Sequence, residues 1–291
     1  MNAIDSWLHK PGVAGSSPAA ATTCHAPAEE YHGWGETSCS DLKLLAKSPL
    51  EYYWRKVARV QQKQENTAAL DYGTLLHTWG ELGEEEFWRL VVTPPADLCT
   101  AAGAMGAKAK AWLADQSPES IPVSPADLAK LRPQTEALLR NKEVVRLIDE
   151  TVDRELNVRS RWEGHAVRSR IDALTNAGGF DWKTTSDRYP LLEWARSAIK
   201  WGYHLQSAFY TEILTHIGYP RERIRFVVTS TAWPYENVVC QLPDALCQAG
   251  HRECLRLLEE LEARREWDFW DRYGSTGTVE LPVPSYLMKG L

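Results

Sequence analysis

No apolar run in the 291 residues approaches the roughly 20 that a membrane-spanning helix needs, which argues against a membrane protein. An excess of positive charge is also missing. The formal net charge is -6, whereas proteins that coat nucleic acid through bulk charge depend on Lys and Arg neutralising phosphates. The six cysteines (Cys24, Cys39, Cys99, Cys240, Cys247, Cys254) contain no CxxC pair, and nothing near the N-terminus has the apolar core of a secretory signal. Reduced thiols in a cytoplasmic protein are the expectation. No internal repeat is present.

What is there is ordinary in bulk and uneven in distribution. At 44% hydrophobic and 25% charged residues, the chain can bury a substantial core. Arg154, Arg159, Arg161, Arg168, Arg170, Lys183, Arg188, Arg196 and Lys200 crowd its middle, while Glu259, Glu260 and Glu262 make the C-terminal region acidic. A basic groove on an acidic body can admit one DNA strand or duplex end without coating everything.

Residues 1–30, rich in Ala, Ser, Pro and Gly, predict a disordered tail. The remainder, 31–291, reads as one domain: a helical part over 31–150, a core over 151–265 and a C-terminal extension over 266–291. In the first part, Ser40 is a plausible N-cap, Ser48-Pro49 starts another helix, and residues 71–82 form a helix carrying His77. Helices follow over 104–113 and 125–148. The centre changes in kind, with strand-like runs at 155–162, 166–174 and 179–184 joined by short turns, an antiparallel meander. A long helix over 191–216, strands at 223–230 and 236–241, and an amphipathic helix over 243–265 complete the order. The expected fold is α/β, a mixed central sheet built on the meander and flanked by helices, with a helical N-terminal subregion.

Alternation along a strand puts Asp181 and Lys183 on one face and Phe180 and Trp182 on the other. A tight turn near Asn176-Ala177 sets Asp172 opposite or diagonal to Asp181, where two carboxylates repel. A bound cation removes that penalty. Mg2+, with Mn2+ as a substitute, suits carboxylates and phosphate oxygens better than Zn2+ does. A lysine one strand position on can hold the attacking water and offset charge on a phosphate, so the unit points to phosphodiester hydrolysis. The competing reading is a solvent-facing hairpin with Lys183 as salt-bridge partner. Arg170, two residues before Asp172, turns to the same face, where it either binds a phosphate, the favoured role, or neutralises the carboxylates.

Several ordered segments carry a resemblance. They are Ser38-Cys39-Ser40-Asp41-Leu42-Lys43 followed by Ser48-Pro49, Gly73-Thr74-Leu75-Leu76-His77, Arg170-Ile171-Asp172, Asp181-Trp182-Lys183-Thr184-Thr185, and Tyr203-His204-Leu205-Gln206 ending at Tyr210. Over about residues 31–285 the chain resembles the RecE-like branch of the RecB-type PD-(D/E)xK nucleases, which includes phage recombination exonucleases of the lambda-exonuclease-like superfamily. The resemblance implies a restriction-endonuclease-like core. It implies that His77, Asp172 and Asp181 ligate metal with the Trp182 backbone carbonyl, that Lys183 is the catalytic lysine, and that Glu155 completes the site. Gln206 and Tyr210 match the family's Q-x-x-x-Y pattern, on one helix face where they can contact DNA or brace the metal site, or simply pack. Ser38 and Ser40 at a helix N-terminus can hold a terminal phosphate, although capping explains them equally well.

Some relatives hold an iron-sulfur cluster. Cys39, Cys240, Cys247 and Cys254 lack the close pair usual in such motifs, which argues against one here. Trp194 and Trp201, seven apart, suggest a packed stripe. The function expected from the resemblance is 5′ to 3′ degradation of linear double-stranded DNA, leaving 3′ overhangs for strand annealing, by a ring-shaped homo-oligomer that works with a single-strand annealing protein. The alternatives are a RecB-like nuclease on single-stranded or flap DNA, and a catalytically silent DNA-binding or partner-docking module.

Overall fold

A computed structural model describes residues 21–60, 68–186, 188–271 and Thr278. In chain order the elements are β1 (Thr22–Cys24), α1 (Ala28–Gly33), α2 (Cys39–Lys47), α3 (Pro49–Tyr52) with a π-helical turn (Tyr53–Val57), α4 (Ala68–Leu82), α5 (Glu84–Leu90) and β2 (Val91–Val92). Then come a 3-10 turn (Ala96–Leu98), α6 (Ala107–Ala114), β3 (Ile121–Pro122), α7 (Pro125–Leu139), α8 (Lys142–Asp149), β4 (Thr151–Trp162), β5 (His165–Thr175) and β6 (Gly178–Thr185). The chain continues through α9 (Pro190–Lys200), α10 (Tyr203–His216), β7 (Arg225–Ser230), β8 (Asn237–Cys240) and α11 (Asp244–Trp267).

The main sheet has six strands in the order β1-β4-β5-β6-β7-β8. β4, β5 and β6 form the antiparallel meander expected from the sequence, and β6 pairs parallel to β7 after the α9–α10 crossover. The sheet is therefore mixed. On one face Val158, Ile171, Phe226 and Val228 pack with residues of α2, α10 and α11. On the other Phe180, Trp182 and Val227 meet Leu76 and Trp79 of α4 and Leu131 and Leu138 of α7. Period-two alternation in β6 thus sends its aromatic residues to the α4 side, leaving Asp181 and Lys183 on the α10 side. Among the described residues no helix is long and apolar enough to cross a membrane.

Several expectations change. Part of the expected tail is ordered: β1 pairs antiparallel with β4 (Thr22↔Arg159), and Asn157 Nδ2 donates to the Ala26 carbonyl at 3.1 Å. A strand of three residues has no periodicity of its own and is specified by its partner. Residues 1–20, and most of the expected C-terminal extension (272–277 and 279–291), lie outside the described residues. The helix expected over 125–148 is two helices, because Asn141 caps α8 by accepting from the Glu143 N–H at 3.0 Å. The helix expected over 191–216 breaks at Trp201-Gly202, where Gly202 adopts φ +66 against the Lys43 side chain. Ser38, not Ser40, caps α2, in a capping box with Asp41. Trp194 is buried, whereas Trp201 is 58% exposed, so the two form no stripe.

Candidate active site

Three neighbouring strands each bring a carboxylate to the same level of the sheet. The pairs Arg154↔Ala173 and Leu156↔Ile171 place Glu155 across from Asp172, and the pair Ala173↔Phe180 places Asp181 across from Asp172 on the other side. The described β5–β6 pairing stops at Ala173↔Phe180, while β6 goes on pairing with β7. β5 and β6 part at the acidic residues. Glu155 has φ +52, a left-handed conformation that is uncommon for a residue with a Cβ and that interrupts the β4 ladder at this point.

Each carboxylate has its own partners. Asp172 Oδ2 accepts from the Trp182 backbone N–H at 3.2 Å and faces His77 Nδ1 on α4, also at 3.2 Å. Asp181, buried in the sheet, is ion-paired with Lys183, and its Oδ1 accepts from Gln206 Nε2 on α10 at 2.6 Å. Lys183 Nζ also donates to the Trp182 carbonyl at 3.3 Å. Glu155 is ion-paired with Arg170 Nε. The residues expected from the D-x-K spacing are thus together, and His77, Glu155 and Gln206 join them. Lys43 of α2 joins as well, donating to Gln206 Oε1 at 3.1 Å.

Electrostatics reflects the crowding. Burial and the charge on Asp172 push the Glu155 carboxyl up to about 7, against the opposing pull of Arg170. Burial and Asp172 also raise Asp181, despite Lys183. For Asp172, burial acts upward but is outweighed by His77, Lys183 and the Trp182 N–H, and the group ends below the usual carboxylate range. His77 shows the converse: burial lowers it, while Asp172 wins and raises it. Burial opposes the Lys183 charge, yet the two aspartates hold that charge above its ordinary range. This is the pattern of an acidic centre short of positive charge.

Among the described residues, no three His, Cys, Asp or Glu side chains close around a single point as a metal cage. The donor set nevertheless fits a hard divalent cation: Asp172, Asp181 and Glu155 supply oxygens in register, the Trp182 carbonyl, which accepts from Lys183, adds a further oxygen next in sequence to Asp181, and the Asp172–Glu155 repulsion is what a cation would relieve. Beside the carboxylates is a cavity of about 340 Å³, lined by Gly73, Thr74, His77, Lys183, Thr184 and Tyr203 among others. It has room for a nucleotide-sized group next to the lysine.

Other expected site residues sit differently. Arg170 Nε is engaged by Glu155, which is the carboxylate-neutralising one of the two roles expected for this residue. Ser38 is buried and its hydroxyl is committed to Asp41 Oδ2 at 2.7 Å, with Ser40 Oγ at 2.8 Å. Capping accounts for Ser38. Asp41 is in turn paired with Lys56 at 2.7 Å. Tyr210 is half-buried, packed against the α10 side of the core, with its hydroxyl raised by burial and by neighbours that include Asp181. Cys39 is buried on α2, Cys240 lies on β8, and Cys247 and Cys254 lie on α11, with Cys254 Sγ directed at the Leu205 carbonyl.

Neither Tyr203 nor Lys43 is marked by a spacing or motif position of its own. Tyr203 stacks on Trp194 with 5.3 Å between ring centroids, and both Lys43 and Lys183 face its ring, at 5.1 and 5.4 Å. Both residues occur in segments that carry the resemblance. What brings them together is the docking of α2 on α10, which no local pattern announces.

A family model described as a PDDEXK-like domain of unknown function (DUF3799) matches residues 38–280. Among solved structures, the chain is similar to the crystal structure of a candidate exonuclease from Eubacterium rectale, with a TM-score of 0.60 and 15% identity, covering 92% of this chain and 100% of that one. At that identity the likeness is one of fold. None of the curated proteins matches the chain.

Proposed function

Since the chain belongs to the PDDEXK-like family, matched from residue 38 to residue 280, we propose that it is a divalent-metal-dependent deoxyribonuclease that degrades linear double-stranded DNA from 5′ ends and leaves 3′ overhangs. The observation that carries the reading is the convergence of Asp172, Asp181 and Lys183 beside an open cavity, with Gln206 holding Asp181 from behind. A module that only bound DNA would gain nothing from burying two carboxylates against each other.

Asp172, Asp181 and the Trp182 carbonyl would hold Mg2+ or Mn2+, with Glu155 and His77 at its margin. When bound, the cation supplies charge stabilisation for the phosphodiester and a more acidic water. The chain's own residues do the rest. Lys183 places an ammonium at the cavity wall, where it can hydrogen-bond the attacking water and balance charge gathering on the phosphate. Tyr203 and Thr184 shape the wall beside it. Arg170 holds Glu155 in place and keeps part of its charge compensated.

The polarity and the preference for duplex ends follow from the RecE-like resemblance, as do a ring-shaped homo-oligomer and a single-strand annealing partner in recombination. Sedimentation that shows a monomer with and without DNA would remove the ring. The central test is digestion of linear duplex labelled separately at the 5′ and 3′ ends, with Mg2+ or EDTA, using wild type and Lys183→Ala. Metal-dependent early release of the 5′ label, lost in the variant, is the expected result. Early release of the 3′ label would reverse the polarity, and no cleavage of linear, flapped or single-stranded substrates would overturn the nuclease reading.

A further inference from the structure

Behind Asp181 runs a chain of side chains that ends on a second lysine. Lys43 Nζ donates to Gln206 Oε1 at 3.1 Å, and Gln206 Nε2 donates to Asp181 Oδ1 at 2.6 Å. An ammonium can only donate and a carboxylate can only accept, so both neighbours demand the same orientation of the amide between them. Lys43 is itself held. Its stem packs on Gly202, where an added Cβ would lie 3.2–3.4 Å from Cγ, Cδ and Cε, and its ammonium faces the Tyr203 ring that Lys183 also faces.

We propose that Lys43 is a positioning residue for the metal site: it anchors and polarises the Gln206 amide, and the amide fixes the rotamer of Asp181. This rests on the metal-nuclease reading above. The physical argument is cooperative. An amide whose oxygen accepts from a cation is a stronger donor through its nitrogen. Asp181 needs such a donor, because Asp172 repels it and its partner on the cavity side, Lys183, must also serve the substrate. A ligand carboxylate must be held to within about half an ångström of its working position, and Gln206 is the contact that reaches Oδ1 from the protein interior.

The test is a double-mutant cycle with Lys43→Met, Gln206→Leu and both together. It is read by Mn2+ titration calorimetry, by kcat and KM on linear duplex, and by melting curves. Met keeps the apolar stem, so the fold should hold; Lys43→Gln is the second variant should Met not fold. Each single substitution is expected to weaken Mn2+ binding by about tenfold, in line with losing one hydrogen bond to a charged group, and to lower kcat with little change in KM. The double variant is expected to be no worse than Gln206→Leu alone. Wild-type Mn2+ affinity in Lys43→Met, or losses that multiply in the double variant, would overturn the role of Lys43 while leaving the nuclease standing. A wild-type protein that neither binds Mn2+ nor cleaves DNA would instead remove the nuclease reading, and the role of Lys43 with it.

Discussion

Asp172 Oδ2 accepts the backbone N–H of Trp182 at 3.2 Å, across the point where the described pairing of β5 and β6 stops. A side chain has taken over from the ladder as acceptor. The strands can therefore part and expose two acidic residues without leaving this backbone donor unpaired. The same oxygen faces His77, so one carboxylate ties β5, β6 and α4 together.

Asp172→Asn separates those roles. The amide oxygen can still accept from Trp182, so the fold should persist, but the charge that raises His77 is gone. Burial then dominates, and the His77 pKa should fall below its wild-type value, as followed by NMR titration of the imidazole. Cleavage should drop by at least about a hundredfold, the scale for removing one charged group from a catalytic centre. An unmoved His77 titration would show that the pair does not persist in solution.

Glu155 makes the stability of the folded protein depend on pH. Its carboxyl is raised from an ordinary 4.5 to about 7 in the folded protein. A group raised on folding contributes stability that is fully present below its unfolded value and is lost as pH rises through its folded value. The metal-free protein should therefore melt at lower temperature at pH 8 than at pH 5. Glu155→Gln should flatten that slope, which a series of thermal melts in EDTA would show.

Much of this was legible in the sequence. The meander and the shared face of Asp181 and Lys183 follow from period-two alternation and short turns, and the register of the hairpin brought Asp172 to Asp181. What escaped depends on contacts distant in sequence. Lys43 and Gln206 lie 163 positions apart. The break at Gly202 is different in kind, because a glycine in the left-handed conformation just past α9 is a local stop signal inside what reads as one apolar-periodic run. Arg170 reads as a phosphate ligand or a partner of the aspartates until β4 supplies Glu155, whose left-handed backbone no propensity predicts. β1 is three residues that become a strand only beside β4.

Divalent metal should stabilise the protein as well as activate it. The site concentrates negative charge that Lys183 and His77 only partly offset, so a cation binding the folded state alone raises its stability by mass action, about 2.7 kcal/mol at one hundred times Kd. Melting temperature should climb with Mg2+ or Mn2+ in wild type. It should climb far less in Asp181→Asn, which keeps an acceptor for Gln206 but gives up the ligand charge. An equal rise in both would place the stabilising metal elsewhere.

Gly80 tests whether the back of the site is as tightly packed as the front is open. It lies inside α4, where replacing Gly by Ala ordinarily stabilises a helix by up to about 1 kcal/mol. Here an added Cβ would lie 2.6 Å from Cε2 and 2.9 Å from Cδ1 of Trp182. That indole cannot swing aside, since it is buried between the edges of Trp79 and Phe180, with centroids 5.6 and 5.5 Å away. Overpacking of this kind costs about 1–3 kcal/mol, more than the helix gains, so Gly80→Ala should lower the denaturation midpoint in urea. Because Trp182 lies between Asp181 and Lys183, the shift should also displace both from their partners and reduce kcat more than KM. Gly33→Ala, with nothing within 4 Å of the added carbon, is the control and should change neither. If Gly80→Ala instead stabilises the protein and leaves kcat intact, α4 does not press on the catalytic strand as closely as its packing indicates.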